Sequence, residues 1–99
     1  MASLKQHSAD CKAILGKDWF VVHQWLDEYA KIYWPAKMHR VHRHHKDGVA
    51  DCVKKWGEQA GHAAMIHILT DEGEILSEEG IHKKYGIDYK KIKDNFYSV

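Results

Sequence analysis

Apolar positions recur every three to four residues through most of the first 56 positions of this chain, which predicts helices. In the first segment Leu4, His7, Cys11, Ile14 and Leu15 share that spacing. Ser3 and Gln6 fit a capping box at its start, and Gly16 fits the residue just past its end. Asp18 suits the N-cap of a second helix, whose stripe is Trp19, Val22, Leu26, Tyr29 and Tyr33, widened by Trp25 and Ile32. Pro35 closes that helix or opens the next. A third helix is expected from about Ala36 to Trp56, with Gly57 as its stop and a stripe of Met38, Val41, His45, Val49, Cys52 and Trp56. Gly48 inside it suggests close approach of another element.

The pattern changes after Gly57. Met65 to Leu69, an acidic stretch from Asp71 to Glu74, and then Ile75-Leu76 together predict a short β-hairpin. Ser77 with Glu78 and Glu79 has the chemistry of a helix start, and that helix carries Ile81, His82 and Tyr85 up to Gly86. Asp88 can cap a last short helix containing Tyr89, Ile92 and Phe96. The expected class is mainly α, with some α+β character. It is a compact helical domain of four to five helices with one small hairpin, a single domain over residues 1–99.

Composition narrows the function classes. The 99 residues are 44% hydrophobic and 29% charged, which is ordinary globular chemistry rather than disorder. Fifteen Lys and Arg nearly balance fourteen Asp and Glu, so a binder driven by phosphate charge alone is disfavoured, although Arg40, Arg43 and Lys46 form a local basic patch. Nine residues are histidine, and adding nine protons to the formal charge of +1 would give +10. The start lacks an apolar leader, no run approaches a membrane span, and Cys11 and Cys52 have no C-x-x-C spacing. A cytoplasmic protein with reduced thiols is expected. The exposed character expected of Trp34 is compatible with a homodimer.

Histidine carries the candidate chemistry. His39, His42, His44 and His45 fall within seven positions. His23 and Asp27 are four apart on one helix flank, His7 and Cys11 likewise, and His82 neighbours the apolar Ile81 and Tyr85. Each main helix thus offers an imidazole near the side that faces its neighbours, the way helical bundles build metal sites. Imidazole with carboxylate suits Zn, Fe, Mn or Ni, and a thiolate from Cys11 would favour Zn. His42, His62 and His67 are expected to be a flank, a loop and a hairpin residue, without a role. No H-E-x-x-H, G-x-S-x-G or phosphate-loop motif is present.

The order His7-Ser8-Ala9, His23-Gln24-Trp25-Leu26-Asp27, His39-Arg40 with Arg43-His44-His45 and Gly48, Trp56-Gly57, and Glu79-Gly80-Ile81-His82 before Gly86 resembles a family of hundred-residue bacterial and phage proteins of unknown function. That family carries IHxWFD, HRxxRHHxxG and late GEQH segments. Here His42 stands where the family has an apolar residue, and the Gln before His82 is missing. The resemblance implies His7, His23, Asp27, His39, Arg40, Arg43, His44, His45, Gly48 and His82 as site residues, and it implies no reaction.

Two functions follow as expectations. One is a divalent-metal-binding protein, acting as a hydrolase on a phosphate-containing substrate. His7, His23, Asp27, His39, His44, His45 and His82 would be its ligands, and Arg40 and Arg43 its anion-binding forks. The other is a non-enzymatic module, of viral origin, that binds protein or nucleic acid through a structural His/Arg network.

Overall fold

A computed structural model of the chain describes residues 3–31 and 39–86. Every regular element among them is helical. They are α1 (Leu4–Leu15), α2 (Phe20–Leu26), a 3-10 turn (Glu28–Lys31), α3 (Arg40–Arg43), α4 (Lys46–Trp56), α5 (Glu58–Glu72) and α6 (Glu78–Lys84). The expected helix from Asp88, and the roles given to Pro35 and Trp34, fall outside the described residues. None of the described helices is long and apolar enough to cross a membrane.

The ends of α1 follow their local chemistry. Ser3 Oγ accepts from Gln6 N at 3.1 Å, and Gly16 closes the helix in the left-handed region. The capping box is only half made, because the Gln6 side chain turns forward to Asp10. His7 and Cys11 are buried, whereas Ile14 lies 66% exposed. Helix α2 begins one residue later than Asp18 would place it. Trp19 sits at φ +54, the one non-glycine residue with positive φ among those described, and Asp18 accepts from Phe20 N. A left-handed tryptophan costs about 1–2 kcal/mol.

Two expectations are corrected. The long third helix is two helices, broken at His44-His45. His45 is extended, and its Nδ1 accepts from Gly48 N at 3.2 Å, so the histidine acts as the N-cap of α4. Gly48 makes the sharp corner feasible, because a Cβ there would stand 1.8 Å from the Arg43 carbonyl oxygen. The close approach expected at this glycine is therefore made by the preceding turn of its own chain.

The β-hairpin is replaced by the 15-residue α5, which ends at a left-handed Gly73. Ala60, Ala63, Ala64, His67 and Ile68 are all buried, a helical period that runs across the supposed strand. The apolar run Met65 to Leu69 looked like a strand because neighbours on both faces of α5 bury parts of it. Upstream alanines and Glu58 lengthen the same pattern beyond any ordinary strand.

Helix α5 is the centre of the packing, with α4, α1 and α2 against it. Cys11, Val22, Leu26, Cys52, Ala60, Ala63 and Ala64 form the apolar core, flanked by Trp19, Trp25, Trp56 and Val49. Gly61 permits the α4–α5 contact, since a Cβ would meet Val53 Cγ2 at 2.4 Å. Small residues thus bring α5 close to its partners, and further along α5 His67 meets the rings of His7, His23 and His44.

A buried histidine and aspartate cluster

Six histidines, His7, His23, His39, His44, His67 and His82, are fully buried. Five of them gather around Asp27 and Asp71. Asp27 follows the last turn of α2, and His67 and Asp71 lie four apart on one face of α5. His44 arrives from the corner between α3 and α4, where the break in the chain turns it inward. Asp27 Oδ1 lies 3.3 Å from His44 Nε2 and 3.2 Å from His67 Nε2, and Asp71 Oδ2 lies 3.2 Å and 3.3 Å from the same two nitrogens. The two nitrogens are 3.1 Å apart. The donor atoms of these four residues all lie within 4.8 Å of one another, so the group could hold a metal ion.

The spacing is that of ligands around one cation. Five of the six pairs among these atoms stand 3.1–3.3 Å apart, the separation of neighbouring ligands each about 2.0–2.2 Å from one ion. Neighbouring ligands of an octahedral ion stand about 3.0–3.3 Å apart and opposite ones about 4.2–4.6 Å, so the set also fits four octahedral positions with two adjacent positions left for water.

The hydrogen bonds determine the tautomer of His67. The Asp18 carbonyl oxygen can only accept, so His23 Nε2, 2.9 Å away, carries a proton and donates. Burial lowers the pKa of His23 to about 4, so the ring is neutral at pH 7 and its Nδ1 is an acceptor. His67 Nδ1, 3.0 Å from it, must donate. In neutral His67 the unprotonated Nε2 then faces two carboxylate oxygens and another imidazole. Lone pairs converging in a buried space repel unless a cation or extra protons sit between them.

The carboxylates are prepared for a cation. Burial by itself would raise Asp27, but hydrogen bonds from His39, His44 and His67 outweigh it and hold the group well below the usual carboxylate range. Asp71 behaves the same way, with His44, His67 and His7 as its partners. His39 Nε2 reaches Asp27 Oδ1 at 2.9 Å, and His7 Nε2 lies 3.3 Å from Asp71 Oδ1. The rings of His7 and His67 stack with centroids 3.6 Å apart.

Among the residues singled out from sequence, His7, His23, Asp27, His39 and His44 are therefore brought together. His23 spends both nitrogens on Asp18 and His67, so it orients a neighbour. His45 is engaged elsewhere: one nitrogen caps α4 and the other lies 2.6 Å from the His42 carbonyl. Burial lowers the pKa of His42 (to about 4), His45 and His82, and these three form a second mutually interacting group. His42, expected as a flank residue, is buried against Tyr29. His62 is half-buried on α5.

The arginines hold protein rather than an open fork. Arg40 Nη1 donates to Glu72 Oε1 at 3.0 Å and to Tyr85 Oη at 3.3 Å, and Tyr85 in turn hydrogen-bonds Glu72. Arg43 Nη1 donates to the Trp25 carbonyl and to Glu28, with its guanidinium over the Trp25 ring. Cys11 approaches the Ala63 carbonyl, and burial pushes its thiol up to about 11, far from a thiolate.

From the sequence His67 is expected to have no role and Asp71 is not singled out, because a hairpin places them on a strand and in its turn. Their spacing, His-x-x-x-Asp, is the signal that a helical reading of residues 58–72 would have used. No family model, curated protein or solved structure matches the chain.

Proposed function

We propose that this protein binds a divalent first-row cation between Asp27, His44, His67 and Asp71, and that the ion activates water for hydrolysis of a phosphate-containing substrate. The observation that carries the metal reading is the His67 tautomer. A backbone carbonyl, passed through His23, places a His67 proton on Nδ1, so that the neutral ring a cation requires presents its Nε2 lone pair to two carboxylate oxygens. Two imidazoles and two carboxylates form a mixed N/O set suited to Zn, Fe, Mn or Ni. Their two negative charges balance a divalent ion, which compensates the desolvation of a buried carboxylate pair. Hydrolysis is the chemistry open to a bound ion with adjacent water positions, since such an ion lowers the pKa of its water. The two free buried thiols support a place in the cytoplasm.

Elemental analysis of untagged protein, reconstituted with Zn, Fe, Mn and Ni in turn, tests the reading. At least about one equivalent per chain is expected, with a melting temperature that chelator lowers, because a ligand of the native state stabilises it by RT ln(1 + [L]/Kd). A content below about a tenth of an equivalent with every metal would end the proposal. Loaded protein should hydrolyse an activated phosphate ester, and His67→Ala should abolish both binding and turnover.

A further inference from the structure

Asp71 has a second oxygen, and it too faces a buried imidazole, with the Arg40 guanidinium further off. Oδ2 faces His44 and His67, while Oδ1 lies 3.3 Å from His7 Nε2. Both of these side chains are completely buried, and their 3.3 Å contact brings Oδ1 and His7 Nε2 together without the alignment of a well-formed hydrogen bond. A buried carboxylate oxygen beside a buried imidazole nitrogen normally pairs with it, since each left unmatched is destabilising. Two ligands of one ion behave differently. They stand about 3.0–3.4 Å apart with lone pairs aimed at a common third point, and so touch without bonding.

Resting on the metal reading above, we propose that Asp71 bridges two cations: the inner one on Oδ2 with Asp27, His44 and His67, and an outer one on Oδ1 with His7. A carboxylate bridging in this way spans the roughly 3.5–4 Å between the ions of two-metal hydrolytic sites.

Charge sets the conditions for the outer ion. Asp27 and Asp71 neutralise the inner ion, and Glu72 is committed to Arg40 and Lys84. Arg40 Nη2, 3.8 Å from Asp71 Oδ1, adds positive charge on the outer side. The outer cation therefore lacks a protein anion of its own and requires one from solution. An oxyanion such as phosphate, shared between the two ions, supplies that charge and fills the coordination positions that protein leaves open. Cation and oxyanion each raise the affinity of the other by the same factor.

Titration of Mn(II) into the metal-free 99-residue chain, with and without inorganic phosphate, tests this by bound-metal analysis and electron paramagnetic resonance. With phosphate, about two ions per chain and a spin-coupled multiline spectrum are expected. Without phosphate, the second ion should bind at least about tenfold more weakly. His7→Leu, checked by circular dichroism, should keep one ion with an uncoupled six-line spectrum. One uncoupled ion per chain at millimolar Mn(II) and phosphate would overturn the bridge while leaving the inner site intact. No bound ion at all would overturn the metal reading itself. A folded His7→Leu variant that still binds two coupled ions would also refute the assignment. Should that variant fail to fold, the stoichiometry and spectrum of the unaltered protein decide the matter.

Discussion

Among the histidines, identical side chains do different work because their two ring nitrogens meet different atoms. His45 has a lone pair on the Gly48 amide and a donor on the His42 carbonyl, which makes it a cap. His67 uses one nitrogen on His23 and presents the other to the carboxylates. Substitution separates these roles. His45→Ala should cost about 1–3 kcal/mol through the lost cap and an unpaired carbonyl, with metal affinity retained. His67→Ala should remove metal binding. His62→Ala, half-buried on α5, should stay within about 0.5 kcal/mol of neutral. Thermal melts and metal titration of the three variants give the comparison, and loss of metal by His45→Ala would show that the capping histidine belongs to the site.

At the scale of elements, the corner between α3 and α4 positions the cluster. It turns His44 out of the helical line and towards α5, and it depends on the absence of a side chain at residue 48. Gly48→Ala would place a carbon 1.8 Å from the Arg43 carbonyl oxygen, and backbone is the atom that must yield. A loss of about 2–4 kcal/mol is expected, with weaker metal binding because His44 moves with the corner. Urea denaturation measures the first effect and metal titration the second; an unchanged midpoint would mean that the corner opens freely. Trp19 is a second local device. Its left-handed backbone follows the carbonyl of Asp18 that receives the His23 proton, so strain accompanies the group from which the His67 tautomer follows.

At the scale of the whole molecule, the buried histidines and carboxylates with shifted pKa values titrate in one direction below neutral pH. Burial lowers the pKa of His23 and His42 to about 4, against about 6.5 when unfolded, so the unfolded chain binds more protons between those values. Their stability contribution is full above pH ~6.5 and is lost as pH falls towards 4. Asp27 and Asp71 are held well below the carboxylate range, so their contribution is present above about pH 4 and disappears as pH falls further. Both sets act with the same sign. The melting temperature should drop by about 5 °C or more between pH 7 and pH 5, before the carboxylates titrate. A bound metal should steepen the fall, since its histidine ligands must be unprotonated. A melting temperature that rises on acidification would show these histidines to be charged in the native state.

What the sequence by itself determined is what depends on neighbours within one or two turns. The caps at Ser3 and Ser77, the stop at Gly16 and the helical character of α1 and α2 are short-range patterns of hydrogen bonding and periodicity, and the chain spells them out. The accumulation of imidazole near inward helix faces was legible for the same reason, and His7, His23, Asp27, His39 and His44 do converge. Tertiary structure decided the rest. An apolar run such as Met65 to Leu69 is compatible with strand or helix, and burial against α1, α2 and α4 selected the helix that aligns His67 with Asp71. Equally, no spacing in the sequence tells a histidine that caps a helix from one that faces a carboxylate. That depends on which atoms from distant segments meet each ring nitrogen, a property of the packed chain alone.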